Sequence, residues 1–83
     1  MNEELITFRS ITAAMQGERV LRAAGISCTL LRTPPALRQY GCGYALRLTR
    51  HADTAAELLR RNDVVFRRRY RRASGGAWTE VTP

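Results

Sequence analysis

Gly41-Cys42-Gly43 sets a thiol between two residues without side chains, just ahead of Tyr44-Ala45-Leu46-Arg47-Leu48, which alternates apolar and polar residues as a half-buried strand does. The flanking glycines leave the sulfur unshielded, permit positive φ and allow a second chain or small ligand to come close. A plainer reading fits the same residues: the glycines shape a loop and Cys42 is a small buried hydrophobe, since free cysteine is among the most buried residue types. Other chemistries have little to work with. His51 is the single histidine, and with two cysteines the chain is short of ligands for a zinc site. The carboxylates are scattered and form no acid/base pair, and no glycine-rich phosphate loop follows a strand. No metal and no cofactor is expected.

Eighty-three residues make one domain near the lower limit for burying a core without staples, so a two-layer fold is the ceiling. With 45% hydrophobic residues the composition is that of a soluble globular protein, and no apolar run approaches the length of a membrane span. The opening Met1-Asn2-Glu3-Glu4 is polar and acidic where a secretory signal is basic and then apolar, so a cytoplasmic address is expected, with both cysteines as free thiols. The net charge is +7, and all basic residues are arginines. That bias has two sources to choose between, contact with nucleic acid or the arginine-for-lysine usage of a G+C-rich genome.

Leu5-Ile6-Thr7-Phe8 is a β-prone run, after which Ser10 or Thr12 offers an oxygen to cap a helix over Ile11 to Ala24. Ala14, Gly17, Leu21 and Ala24 give that helix a small-residue face able to lie close on a sheet, with Gly25 placed to stop it and Glu18 a polar misfit near the same stripe. Ile26 to Leu31 forms a second strand with Ile26, Cys28 and Leu30 on one face, and Thr33-Pro34-Pro35 ends it. The third strand spans Cys42 to Thr49, with Cys42, Tyr44, Leu46 and Leu48 on its apolar face. Ala52 to Asn62 reads as a second helix capped by Thr49 or Asp53. Val64-Val65-Phe66 opens a fourth strand that dissolves into an arginine run, and 73–83 reads as a flexible tail after a single domain over 1–72.

Strand, helix, strand, strand, helix, strand is the βαββαβ order of a ferredoxin-like α+β sandwich, a four-stranded antiparallel sheet with two helices on one face. In its usual strand order, four-one-three-two, the start of strand three lies beside the end of strand one. Cys42 then sits near Phe8, Arg9 and Ser10, facing the first turn of helix one. Thiol pKa values fall at helix N-termini and beside arginine, so a thiolate near neutral pH becomes accessible, with Arg9, Ser10 and Thr12 as its supporting groups. Cys28 falls roughly 16 Å away along the hairpin at about 3.3 Å per residue. That is too far for a disulfide, and Cys28 is expected in the core.

The chain resembles the selenium/sulfur-carrier-like family of small bacterial and archaeal proteins. The likeness runs from about Leu5 to Tyr70, through Ile6 to Ser10, Ala14 to Ile26, Thr33-Pro34-Pro35 and, most specifically, Cys42-Gly43-Tyr44-Ala45-Leu46-Arg47. Gln39-Tyr40-Gly41 stands where the family has small serine-like residues. The resemblance implies a non-enzymatic carrier whose cysteine, here Cys42 between Gly41 and Gly43, holds sulfur or selenium as a persulfide-like species and passes it between donor and acceptor proteins.

Two other readings remain open. Arg67, Arg68, Arg69, Tyr70, Arg71 and Arg72 form a basic run that binds RNA if Tyr70 stacks on a base, and its expected place is the sheet end opposite Cys42. Alternatively the uncovered sheet face, bearing Leu5, Leu31, Ala45 and Val65, serves a regulatory protein-protein contact or a second copy of the chain.

Overall fold

The computed structural model describes residues 2–40 and 43–81, with only the backbone at 38–40. It is an α+β fold in which β1 (Asn2–Phe8), β2 (Thr29–Arg32), β3 (Tyr44–Leu48), β4 (Arg69–Ala73) and β5 (Thr79–Glu80) join α1 (Ile11–Ala23) and α2 (Ala52–Arg61). The strands lie in the order β2-β3-β1-β4-β5, every neighbouring pair antiparallel. The four-stranded sheet read from the sequence is therefore corrected to a five-stranded one. The added strand comes from the segment read as a tail: Thr79 and Glu80 pair with Arg71 and Tyr70, and the Arg72 guanidinium lies 4.3 Å from the centre of the Trp78 ring.

α1 begins where the polar Ser10 can cap it, its Oγ accepting from the Ala13 amide at 3.1 Å. It ends at Gly25, whose φ of +79° is the left-handed conformation that closes a helix without a side-chain penalty. Ala14, Gly17 and Leu21 form its buried face. At Gly17 the helix comes so close that an added Cβ would stand 3.0 Å from Phe8 Cζ and 3.2 Å from Leu46 Cδ1. Glu18, the misfit of the sequence, is matched by Arg22 one turn later at 3.1 Å. α2 departs from its expected caps. His51 occupies the N-cap with φ 59° and makes no side-chain cap bond, while Asp53 in the first turn is engaged by Arg69 instead.

The main core lies between sheet and helices, where Ile6, Phe8, Leu46 and Leu48 meet Ala14, Leu21, Ala55 and Leu59. Cys28 joins this layer, buried as its alternation with Ile26 and Leu30 requires. The opposite face is not the open surface expected. A 3₁₀ turn over Pro35–Tyr40 lays Leu37 on it, and Leu5, Ala45 and Tyr70 are buried there with Leu31 and Trp78 alongside. Of the residues through which a second copy was expected to pack, Leu5, Leu31 and Ala45 are thus covered within the chain, whereas Val65 lies off this cluster and is exposed.

β4 also starts later than Val64-Val65-Phe66, which lie outside the strands of the sheet. The physical reason is cross-strand charge. The arginines find carboxylates on β1, with Glu3 opposite Arg72 and Glu4 opposite Arg71. Val65 and Phe66 have no such complement.

Candidate functional site

Two ends of the sheet carry polar chemistry. At the first, β1 finishes and α1 begins within three residues, and the register sets Tyr44, the first residue of β3, opposite both Phe8 and Arg32. Gly43 precedes it with φ +78°, its carbonyl accepting from the Thr33 amide at 2.8 Å, so the β2–β3 connection closes there. Arg32 stands 5.7 Å from the Tyr44 ring centre. The start of β3 is therefore beside the end of the strand that leads into α1, and Arg9, Ser10 and Thr12, which follow that strand, are exposed. Gly41 and Cys42 themselves lie outside the described residues.

The same end holds a groove of about 740 Å³ between the start of α1 and the segment leading into β4, lined by Arg9, Ser10, Ala13, Val65, Phe66, Arg67, Arg68 and Glu80. Thr7 ties its Arg67–Arg68 wall to β1. The Thr7 carbonyl accepts from the Arg67 amide at 2.7 Å and its amide donates to the Arg68 carbonyl at 2.8 Å, while its hydroxyl accepts from the Arg68 amide at 3.1 Å. This corrects the expected separation of the basic run from the start of β3. Arg67 and Arg68 share that end, because β4 begins at Arg69 rather than at Val64, and only the later arginines reach the far end.

At that far end, Arg69 is buried and grips Glu4, with Nε to Oε2 at 2.6 Å and Nη2 to Oε1 at 3.1 Å, and it also donates to Asp53 Oδ1 at 2.6 Å. Arg71 adds a bond to Glu4 Oε1 at 3.2 Å. Burial works against the Arg69 charge, yet the two carboxylates outweigh it and hold its pKa above the ordinary value. The Arg69 bond and charge pull Asp53 below the usual carboxylate range. Arg72 pairs with Glu3 at 3.4 Å and Arg68 with Glu80 at 3.0 Å. Arg68, Arg69, Arg71 and Arg72 are thus engaged by carboxylates of the chain, and Tyr70 is buried on the second face with its ring unavailable for stacking on a base. Sequence reasoning missed this network, although Glu3-Glu4 in one strand and alternating arginines in another are its signal.

Cys28 differs from what a reactive thiol needs. Burial, then the Glu18 charge, push its pKa up, and Arg22 opposes them only in part, so it remains a thiol near neutrality. Among the described residues no group of three or more His, Cys, Asp or Glu side chains could hold a metal, and no helix is long and apolar enough to cross a membrane.

The fold is of the α+β class, with two helices and a five-stranded antiparallel sheet. The chain matches the model of the family described as "Putative Se/S carrier protein-like" over residues 3–71 and belongs to that family. No curated protein and no solved structure matches it.

Proposed function

We propose that this protein is a non-enzymatic sulfur or selenium carrier on a ferredoxin-like frame, with Cys42 as the carrier thiol. The observation that carries the reading is the family match, which runs through the Cys42-Gly43 pair. In the step proposed, the Cys42 thiolate attacks the outer sulfur of a donor cysteine persulfide. The donor S–S bond breaks, its cysteine leaves as thiolate, and a new S–S bond forms on Cys42, with no net oxidation or reduction. Arg9 and the first-turn amides of α1 favour the anionic form of a thiol at this sheet end, and the Ser10 and Thr12 hydroxyls are available as donors to it. Transfer to the acceptor repeats the same exchange in the other direction.

The reading is supported by the contrast with Cys28, whose burial keeps it protonated and out of competition. The test is mass spectrometry after incubation with a cysteine desulfurase and cysteine. One added sulfur mapping to Cys42, retained in Cys28→Ser and lost in Cys42→Ser, is expected. Absence of added sulfur, or sulfur mapped to Cys28, would overturn it.

A further inference from the structure

We infer that the groove between the start of α1 and the Val65–Arg68 segment is the docking surface for an acidic, apolar-centred face of the protein that supplies sulfur. Val65, 80% exposed, and the half-buried Phe66 next to it give the groove an apolar centre. One face of the Phe66 ring is already covered by the Arg60 guanidinium at 5.3 Å. Arg9, Arg67 and Arg68 complete the rim, and Glu80, the single lining carboxylate among the described residues, is bound to Arg68 through both oxygens at 3.0 and 3.1 Å. An apolar centre in an arginine rim is the pattern of a protein interface, with charge on the rim steering encounter and the centre carrying affinity.

Charge selects the occupant. A chain of net charge +7 repels a second copy of itself and attracts an acidic partner. RNA answers the same charge but has no use for an exposed valine, and the neighbouring Phe66 ring is partly covered by Arg60 rather than open for base stacking. The groove is also built onto β1 through Thr7, one residue from Phe8, which pairs with the first residue of β3. A donor seated there is held at the end of the sheet from which the carrier strand starts. The assignment rests on the carrier reading for the identity of the partner, and on the groove alone for its chemistry.

The experiment separates the two. Binding to a purified cysteine desulfurase is measured in a Cys42→Ser background, so that sulfur exchange plays no part, for the parent, Val65→Asp, Arg67→Glu and the exposed, charge-matched control Arg47→Glu. Loading of Cys42 from glutathione persulfide is measured in parallel with the native thiol. Each groove substitution is expected to weaken desulfurase binding tenfold or more and the control less than twofold, while loading from glutathione persulfide stays within twofold for all. Equal binding by parent and groove variants, equal losses in the control, or no binding by the parent would overturn the docking assignment and leave the carrier reading standing if the small persulfide still loads Cys42. If Cys42 takes sulfur from neither source, the carrier reading falls, and the binding series still decides the groove. A single-stranded RNA that binds with steep salt dependence and is lost in Val65→Asp and Arg67→Glu would overturn the protein assignment in favour of nucleic acid.

Discussion

Glu4 and Arg69 meet side by side from neighbouring strands at 2.6 Å, both buried, with the guanidinium reaching on to Asp53 at the first turn of α2. One arginine thus ties β1, β4 and α2 together. Leaving its charge buried without the carboxylate is costly, so Glu4→Gln should lower unfolding stability by about 3 kcal/mol. Because well-packed apolar replacements of a buried pair are often neutral, Glu4→Leu with Arg69→Met should recover most of that loss. Chemical denaturation of the two variants checks both, and a Glu4→Gln change under about 0.5 kcal/mol would show the pair to be idle.

That network marks the boundary of what the sequence discloses. The helices, the faces of β3 and the burial of Cys28 follow from apolar periodicity, which is a local property, and all three stand in the structure. β4 was misplaced because its stability is not local. Val64-Val65-Phe66 has the higher strand propensity, yet Arg69–Ala73 takes the place beside β1 because Glu3 and Glu4 stand opposite. The covered second face was hidden for the same reason: nothing within 35–40 or 73–81 announces that Leu37 and Trp78 turn back onto the sheet. Of the site, the pairing of strand three's start with Phe8 was legible from topology, whereas the groove depends on where Arg67 and Arg68 land.

Gly17 is a packing position in a helix interior. Alanine there gains about 1 kcal/mol in helix propensity. Its methyl, however, would stand 3.0 Å from the ring of Phe8, itself without exposure and so without room to retreat. Overpacking of this kind costs roughly 1–3 kcal/mol, so Gly17→Ala should be net destabilising by about 1 kcal/mol and Gly17→Val by more. Thermal unfolding of the two variants measures it, and a stabilised Gly17→Ala would mean that the α1–sheet distance yields.

Two groups set opposite limits on stability with pH. The Arg69 bond and charge hold the folded Asp53 carboxyl below its ordinary value. Its contribution is therefore present above the unfolded pKa of about 3.9 and lost as pH falls through the folded one. Cys28 runs the other way: burial raises its folded pKa. That contribution is full below about pH 8.5 and lost as pH rises through the folded value. Urea titrations should show Asp53→Asn with a flatter acid limb and Cys28→Ala with a flatter alkaline limb. Interchanged effects would contradict these environments.

Gly43 offers the last test, because it separates two reasons for a glycine beside Cys42. Its φ of +78° lies in the left-handed region, yet among the described residues nothing stands within 4 Å of where a Cβ would be. The only folded-state penalty of alanine is then conformational, about 1 kcal/mol, and asparagine, which tolerates this region, should cost less. If the glycine serves backbone geometry alone, Gly43→Asn should restore most of the stability lost in Gly43→Ala, and sulfur loading of Cys42 should follow stability. If it also clears a path for a protein donor, both variants should load normally from glutathione persulfide and slowly from a desulfurase, whatever their stability. The lack of any described neighbour around the missing Cβ favours the second outcome, since a side chain there would meet none of the described residues. Equal loading by both donors in Gly43→Ala and Gly43→Asn would assign the residue to the turn and remove access from its role.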